Sequence, residues 1–429
     1  VQNADDNAYV QGVEPELRIS MRASEVRFEN NEVGFTEDNV KALCNVSKST
    51  KKVSDARYIG NKGIGWKSVF RVSKTPRVHS RHYHLQFDIT ADSALGYVCP
   101  TPTAAPPGWD TAHGGTSIVL PLGDGAPDKK LRELEVAVGE LQPTLLLFLH
   151  QLRRLVITAS DGSVRTLRRA SDPSDPHVVL LEMSNSAAGQ KDDPTPSRVE
   201  RFLVAKRMLQ PRAAGIHRLD IEQTELTLAF PLPAATATTG GESAGPSVAA
   251  ELPALDVFAF LPLRSYGLCF VVQADWEIPP SRESVDAASA WNQWLLSEAP
   301  QLFLQAAEEL LRRADAAADS AERVRLANHL YQLVPLHATE FFRPLASACC
   351  QLLRRCSCVP VRDGVTFCEP RQAVLAAASM DASPDDPVTV ATDDLIRAIG
   401  LQYAHGAVRM PPVLARELGV RSLDASLLT

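Results

Sequence analysis

Three glycines, Gly60, Gly63 and Gly65, stand directly before an apolar segment that could form a helix. Glycine has no Cβ, so the backbone can turn its N–H groups toward a ligand and approach it closely. A helix that starts at such a turn adds unpaired N–H donors and a partial positive charge, which together favour phosphate. A short glycine pattern has little specificity on its own, so the neighbouring polar residues must decide what it binds.

The glycine turn lies in a strongly basic stretch of an acidic chain. Residues 41–84 contain eleven Lys and Arg against Asp55 alone, so this stretch carries +10 while the whole chain carries −7. A local basic island favours a compact polyanion such as a nucleoside triphosphate, whereas a nucleic-acid-binding domain is more often basic over a whole face. A solvated surface that binds nothing is the alternative left open.

Length and composition indicate a globular protein. The 429 residues are 45% hydrophobic and 22% charged, which suits two or three domains. The longest apolar runs, 145–149 and 257–263, are far shorter than the roughly 20 residues of a membrane span. Residues 1–7 lack the features of a signal peptide and do not begin with Met, so we expect a fragment of an intracellular protein, from the cytoplasm or nucleus.

Five of the eight cysteines lie close together: Cys349, Cys350, Cys356, Cys358 and Cys368. They lack the paired Cys-x-x-Cys spacing and the following His pair that are typical of zinc sites. We therefore interpret them as buried thiols in a reducing compartment, with zinc as the alternative.

The apolar spacing over residues 1–125 predicts an α/β sandwich, in which helices cover one face of a mixed, mostly antiparallel sheet. Alternating apolar residues predict strands in five places: 18–21, 25–29, around Val78, 85–89 and 116–122. Helices are expected from Thr36, which is a fair N-cap, and through Val69 and Val72 after the glycine turn.

An α/β middle domain is expected over residues 126–305 and a mainly helical region over 306–429, so the fold class is α+β. Two polar stretches, near 183–198 and 232–252, are expected to be mobile loops without chemistry. The other expected elements are a helix over 128–148 that Pro143 interrupts, a hairpin over 155–168, strands at 226–230, 257–261 and 268–273, a helix from Trp291 and a hairpin near 359–367.

Four polar motifs follow one another in an informative order. Residues 3–6 read Asn-Ala-Asp-Asp, residues 30–35 read Asn-Asn-Glu-Val-Gly-Phe, the glycine turn follows, and Gly114-Gly115-Thr116 precedes a strand. This series resembles the Bergerat-fold or GHKL ATPases, which include gyrase B, heat-shock protein 90 chaperones, sensor histidine kinases and MutL. It is most similar to the sacsin and NO VEIN proteins, over residues 1–122 and more loosely over 257–294.

The resemblance implies a chaperone-like module that binds ATP and Mg²⁺. Asn3 takes the place of the asparagine that coordinates Mg²⁺, a cation that prefers oxygen ligands, and Asp6 follows one helical turn later, near ribose and phosphates. Asn30, Gly34 and Thr116 take places at the adenine end. The other implied nucleotide-binding residues lie in a lid and in the glycine turn: Lys48, Ser49, Thr50, Lys51, Gly60, Lys62, Gly63, Ile64 and Gly65.

The resemblance also implies where catalysis would occur. Arg282 resembles the arginine with which a chaperone's middle domain contacts the γ-phosphate, although a surface ion pair is the alternative. Lid closure would couple nucleotide occupancy to a domain rearrangement. The general base of the hydrolytic members is a glutamate four residues before the magnesium asparagine, which here would precede Val1. The sequence therefore leaves ATP hydrolysis open.

Two residues depart from the pattern of the family. Asn30 stands where most members have an aspartate that accepts a hydrogen bond from the adenine amine. An amide carbonyl can accept the same bond, but loses about 1 kcal/mol without charge assistance. Glu32 replaces the first glycine of the usual Asp-x-Gly-x-Gly motif. Selectivity for adenine is therefore an open question.

Two other functions compete with an ATPase. A degenerate Bergerat domain could serve as a non-hydrolysing scaffold for protein partners, which Asn30 and Glu32 favour. A nucleic-acid-associated protein could use the basic residues of 41–84, and its binding would then weaken steeply with salt. Protein clients are compatible with an ATPase and with a scaffold. No membrane partner is expected.

Overall fold

The computed structural model describes residues 1–44, 66–90, 95–110, 115–123, 127–189, 195–211, 221–233, 251–279, 283–375 and 393–423. Contacts within the chain divide it into two compact units. The first unit is Val1–Arg201 with Arg218–Ile221, and the second is Phe202–His217 with Glu222–Thr429. The three-domain division at residues 125 and 305 stays a prediction.

In its described residues, the first unit contains a nine-stranded sheet. The strands are β1 (Glu16–Arg22), β2 (Glu25–Asn30), β3 (Arg77–Ser80), β4 (Tyr83–Gln86), β5 (Thr101–Pro102), β6 (Thr116–Pro121), β7 (Arg154–Thr158), β8 (Val164–Asp172) and β9 (Asp175–Ser186). They lie in the order β5-β4-β3-β6-β2-β1-β7-β8-β9. Every neighbouring pair is antiparallel except β1 with β7.

The β1–β2 hairpin forms because apolar and polar residues alternate along both strands. Leu17, Ile19 and Met21 of β1 share one face and are each at most 4% exposed. The antiparallel register pairs Arg22 with Glu25 beside the turn and Leu17 with Asn30 at the open end. The hairpin confirms the sequence prediction, and it places Asn30 at the edge of the apolar core.

Short helices accompany this sheet: α1 (Gln2–Asp5), α2 (Glu37–Cys44), α3 (Pro127–Gly139) and two 3-10 helices, Trp66–Arg71 and Pro143–Leu146. Thr36 caps α2 as predicted, since its Oγ1 accepts a hydrogen bond from Asn39 N at 3.3 Å. The helix predicted through Val69 and Val72 forms at Val69 as a 3-10 helix, but it ends at Arg71, before Val72. Runs of 3-10 helix are usually short.

The second unit contains a smaller sheet in its described residues. Its strands are β10 (Arg198–Leu209), β11 (Thr224–Pro231), β12 (Leu255–Ala259), β13 (Leu261–Leu268) and β14 (Val271–Gln273). They lie in the order β10-β11-β14-β12-β13, with β12 and β14 parallel and the other pairs antiparallel. The single strand predicted over 268–273 is wrong, because a bend at residues 269–270 divides this stretch between two strands.

Helices dominate the rest of the second unit: α4 (Ala290–Ala316), α5 (Ser320–Leu333), α6 (Pro344–Leu353), α7 (Asp393–Ala398) and α8 (Pro412–Leu418). Two 3-10 helices, Glu340–Phe342 and Pro370–Gln372, lie between them. The predicted apolar stripe of α4 is buried at Trp294, Leu295, Leu302, Phe303, Ala306 and Leu310. Ser289 caps this helix, since its Oγ accepts a hydrogen bond from Asn292 N at 3.2 Å. The mainly helical C-terminal region is thereby confirmed.

Five very short strands lie among these helices. Strands β15 (Val359–Pro360) and β16 (Phe367–Cys368) are antiparallel and confirm the predicted hairpin near 359–367. Strands β17 (Ala373–Leu375), β18 (Gln402–Tyr403) and β19 (Arg421–Ser422) form a parallel sheet that the sequence did not predict. Strands of two or three residues are too short to produce a periodic pattern.

The fold class is α+β as predicted, with mostly antiparallel sheets in both units. The loop expected near 183–198 begins later, because Met183 and Ser186 pair with β8 as part of β9. Residues 190–194 and 234–250, the centres of the two expected loops, lie outside the described residues. Among the helices that the structure describes, none combines the length and the apolar composition required to cross a membrane.

Candidate functional site

Three polar residues form a row across neighbouring strands of the first unit. In the antiparallel registers, Thr116 of β6 pairs with Asn30 of β2 on one side and with Ser80 of β3 on the other. Directly opposed residues project from the same face of a sheet. All three are buried, with exposures of 8% for Asn30, 6% for Thr116 and 0% for Ser80. The fold therefore brings Asn30 and Thr116, which the sequence predicted as site residues, next to Ser80, which it did not predict.

Hydrogen bonds connect this row to Glu32. Ser80 Oγ lies 2.7 Å from Thr116 Oγ1, and Thr116 Oγ1 donates to Glu32 Oε1 at 2.5 Å. Gly115 N also donates to the main-chain oxygen of Glu32 at 2.7 Å. Because a buried carboxylate needs partners, these bonds explain how Glu32 is accommodated with only 4% of its surface exposed. The sequence showed only a lost glycine at this position, whereas the structure shows a buried carboxylate two residues after Asn30.

A second set of hydrogen bonds joins Asn30 to the N-terminal helix. Asn30 Nδ2 donates to Tyr9 Oη at 2.7 Å and to the Glu16 main-chain oxygen at 3.2 Å, and Tyr9 Oη donates to the Ala4 main-chain oxygen at 2.7 Å. Burial raises the pKa of Tyr9 to about 12, so the hydroxyl keeps its proton at neutral pH. Asn30 Oδ1 is buried and has no hydrogen-bond partner within the part of the chain that the structure describes.

Gly34 is required for the close approach of Arg81. Gly34 has φ +87°, and a Cβ at this residue would lie 2.6 Å from Arg81 Cγ. Arg81 Nε donates to the Val33 main-chain oxygen at 2.7 Å, and Trp109 Nε1 donates to the Arg81 main-chain oxygen at 2.8 Å. The structure thus gives Gly34 a packing role. Arg81 was not predicted, because Arg81-His82 lacks the Asn-Gly or Asp-Gly signal of a two-residue hairpin turn.

Asp5, in helix α1, and Asp6, at its C-terminal end, differ in their surroundings. Asp5 is 1% exposed, and its carboxylate accepts hydrogen bonds from the main-chain N–H groups of His150, Gln151 and Leu152 at 2.7–2.8 Å. Asp6 is half-buried and Asn3 is exposed. Asp5 therefore fixes α1 to the segment before β7, and this leaves Asn3 and Asp6 as the polar residues nearest to solvent.

Asn3 is the candidate magnesium ligand. An exposed amide oxygen suits Mg²⁺, which keeps several waters and uses few protein ligands beside phosphate. Among the described residues, no group of three or more His, Cys, Asp or Glu could hold a metal ion. Ten predicted site residues lie outside the described residues: Lys48, Ser49, Thr50, Lys51, Gly60, Lys62, Gly63, Ile64, Gly65 and Arg282.

Several cations of the basic stretch bind protein groups. Lys67 Nζ donates to the main-chain oxygens of Leu43 at 2.8 Å and Tyr97 at 2.5 Å, and burial lowers the pKa of Lys67. Lys41 forms an ion pair with Glu37 at 2.7 Å on the exposed face of α2. Lys41 and Lys67 therefore fit the alternative that this basic stretch is a surface that binds no ligand. A phosphate-binding role of residues 41–84 depends on the other Lys and Arg of the stretch.

A pair of histidines lies beside the polar row. His79 Nδ1 and His84 Nδ1 are 3.2 Å apart, and the indole ring of Trp109 lies within 6.0 Å of both rings. Burial lowers the pKa of His79 to about 4, with further contributions from His84, Arg77 and Arg27. Burial also lowers the pKa of His84. Both imidazoles are therefore neutral in the folded protein at neutral pH.

The histidine pair makes stability fall in acid. An unfolded His79 binds a proton near pH 6.5 and the folded one near pH 4, so stability is complete above pH 6.5 and declines toward pH 4. We expect the free energy of unfolding to fall by about 1–2 kcal/mol more between pH 7.5 and pH 5 in the wild type than in His79→Gln. Urea titrations at several pH values measure this, with the exposed His82→Gln as control. Equal slopes for wild type and His79→Gln would contradict it.

Four of the clustered cysteines are buried: Cys349, Cys350, Cys358 and Cys368. Burial raises the pKa of Cys350 and of Cys368 to about 11, and it also raises the pKa of Cys349 and Cys358. Thiols with raised pKa values are poor nucleophiles and poor metal ligands, because both roles need the thiolate. These surroundings favour the interpretation as buried thiols.

Together the fold and the site define an α+β protein with a buried polar cluster at the ends of three strands of its first unit. The chain is similar to Protein NO VEIN of Arabidopsis thaliana, with 34% identity over 395 residues. The match covers 86% of this chain but 13% of that protein, so the chain spans a small part of its relative's length. This similarity supports a NO VEIN-like protein. No family model matches the chain.

Proposed function

We propose that the chain contains an ATP-binding, Mg²⁺-dependent GHKL-type domain with a chaperone-like role, of the kind that its resemblance to sacsin and NO VEIN proteins implies. Nucleotide occupancy would be coupled to a rearrangement of the chain. The proposal covers ATP binding first, and ATP hydrolysis is a separate question.

The observation that carries the proposal is the unsatisfied acceptor of Asn30. A buried polar atom without a partner costs about 1–3 kcal/mol, so such atoms are rare and call for an explanation. Asn30 Oδ1 is one of nine such side-chain atoms among the described residues, and it is the one that belongs to a predicted site residue, which the resemblance assigns to the adenine amine. A ligand amino group would supply the missing donor. Further polar groups lie near Asn30. Tyr9 Oη accepts a hydrogen bond from Asn30 Nδ2, and Thr116 Oγ1 donates one to Glu32.

Calorimetric titration of the 429-residue chain with Mg-ATP tests the proposal. We expect Asn3→Ala to weaken Mg-ATP binding by about 10-fold or more, because one oxygen ligand of the cation is lost. Asn7→Ala, which alters the same residue type just after α1, should bind as the wild type does. Release of inorganic phosphate in the same samples measures turnover independently of binding.

A protein-binding scaffold is the second candidate, and the Thr116–Glu32 bond favours it. That bond satisfies the hydroxyl and one carboxylate oxygen internally, so neither group requires a ligand. If the wild type and Asn3→Ala both show negligible Mg-ATP binding while remaining folded, the ATP-binding proposal fails and the scaffold is supported.

A further inference from the structure

Asn30 has an orientation problem that an aspartate would not have. A carboxylate presents two equivalent acceptor oxygens, whereas an amide presents one acceptor and one donor. The edge that faces a ligand therefore decides whether the site takes an amino group or a carbonyl group. At Asn30 this choice depends on the groups that hold the amide.

Two hydrogen bonds of the Nδ2 group hold the Asn30 amide in its orientation. Both hydrogens of Nδ2 are used, one by Tyr9 Oη at 2.7 Å and one by the Glu16 main-chain oxygen at 3.2 Å. Tyr9 Oη can accept from Nδ2 because its own hydrogen goes to the Ala4 main-chain oxygen at 2.7 Å. Oδ1 is left as the buried, unpartnered atom, in a side chain that is 8% exposed.

We infer that Tyr9 is a specificity residue, which holds the Asn30 amide so that the site offers only an acceptor and selects a ligand amino group over a carbonyl group. This inference rests on the proposed nucleotide binding. For purine nucleotides it means a preference for a 6-amino base over a 6-oxo base. Tyr9 acts through Asn30 and is a positioning residue.

The size of the preference follows from hydrogen-bond energetics. A 6-amino group would donate to Oδ1, whereas a 6-oxo group would place a second acceptor against it and leave both unpaired. Such a mismatch costs about 10- to 100-fold in affinity. ATP and ITP are suitable probes, because their bases differ only in the group at C6 and in the proton that the 6-oxo base carries on the adjacent N1. We expect the wild type to prefer Mg-ATP over Mg-ITP by that factor.

Tyr9→Phe should reduce the preference. Without the hydroxyl, one Nδ2 hydrogen is unpaired, and only the longer bond to Glu16 opposes rotation of the amide. A rotated amide can donate to a 6-oxo group, so we expect the ATP-to-ITP affinity ratio to fall by about 10-fold. Adding Asn30→Asp to Tyr9→Phe should restore the preference, because a carboxylate has no donor edge.

The control is Tyr83→Phe, which makes the same change in side chain at a tyrosine of strand β4. Thermal unfolding verifies that each variant is folded. Binding of neither nucleotide by the wild type overturns the nucleotide proposal and this inference with it. Equal affinity of the wild type for ATP and ITP overturns the inference alone. So does a Tyr9→Phe variant that loses affinity for both nucleotides equally, because that is the behaviour of a merely structural residue.

Discussion

Gly267→Ala is expected to destabilise the second unit by about 3–5 kcal/mol. Gly267 has φ +77°, a conformation that costs a residue with a Cβ about 1 kcal/mol. The added Cβ would also lie 2.2 Å from the main-chain oxygen of His337, so two backbone segments must move apart. Unfolding in urea, followed by circular dichroism, measures the loss.

Gly400→Ala is the matched control. Gly400 has nearly the same φ, +78°, but a Cβ there would meet no atom within 4 Å. Only the conformational cost of about 1 kcal/mol is expected for this variant. A similar loss in both variants would show that the contact with His337 contributes nothing.

The damage from Gly267→Ala should extend to a neighbouring loop. The main-chain oxygen of Tyr266 accepts a hydrogen bond from Thr339 N at 2.9 Å, and Tyr266 Oη accepts one from Val285 N at 2.9 Å. A shift of residue 267 disturbs both bonds. Hydrogen exchange at the Val285 amide is therefore expected to accelerate. Val285 lies three residues after Arg282, the arginine that the resemblance assigns to the γ-phosphate.

The elements that the sequence predicted correctly have strong periodic patterns. The β1–β2 hairpin has alternating residues and a short turn, and α4 has an apolar stripe with Ser289 as its cap. The failures occur where the local pattern is ambiguous. The run at 268–272 is apolar throughout, so nothing in it marks the bend between β13 and β14. Val69 and Val72 suit several conformations.

The candidate site was predicted only where a motif marked it. Asn30 and Thr116 belong to recognisable motifs, and the registers of β2, β6 and β3 place them on adjacent strands. Tyr9 and Ser80 were missed because their importance comes from hydrogen bonds to residues far away in sequence, 21 positions for Tyr9–Asn30 and 36 for Ser80–Thr116. Such pairings depend on the tertiary fold and leave no periodic signal in one sequence.

The position of the Glu32 carboxylate changes how the replacement of an aspartate by Asn30 is interpreted. The sequence left the selectivity for adenine open, because Asn30 replaces an aspartate and Glu32 replaces a glycine. In the structure, Glu32 is buried and accepts from Thr116 Oγ1, so the site retains a carboxylate and a threonine hydroxyl in contact. The acceptor that we propose for the base, Asn30 Oδ1, and the acidic group of Glu32 then belong to separate residues, and they can be varied independently.

Asp5→Ala is expected to lower the free energy of unfolding by about 3–4 kcal/mol, because the substitution leaves three main-chain N–H donors without their carboxylate. The half-buried Asp6 is the matched control, and Asp6→Ala should cost less than about 1 kcal/mol of stability. For Mg-ATP binding, we expect Asp6→Ala to have the larger effect of the two variants. At a temperature where both variants are folded, Asp6→Ala should lose most Mg-ATP affinity, since the resemblance places Asp6 near ribose and phosphates.

The two aspartates thereby separate the structural role of α1 from the ligand-binding role that we propose for it. Asp5 secures the helix to residues 150–152, and this attachment in turn fixes the Ala4 oxygen that Tyr9 needs in order to hold Asn30. Asp5→Ala should therefore also diminish the discrimination between ATP and ITP, whereas Asp6→Ala should weaken both nucleotides equally. Urea titration and calorimetry on the same two variants measure both effects. Equal loss of stability in the two variants would show that the three hydrogen bonds of Asp5 do not hold α1 in place.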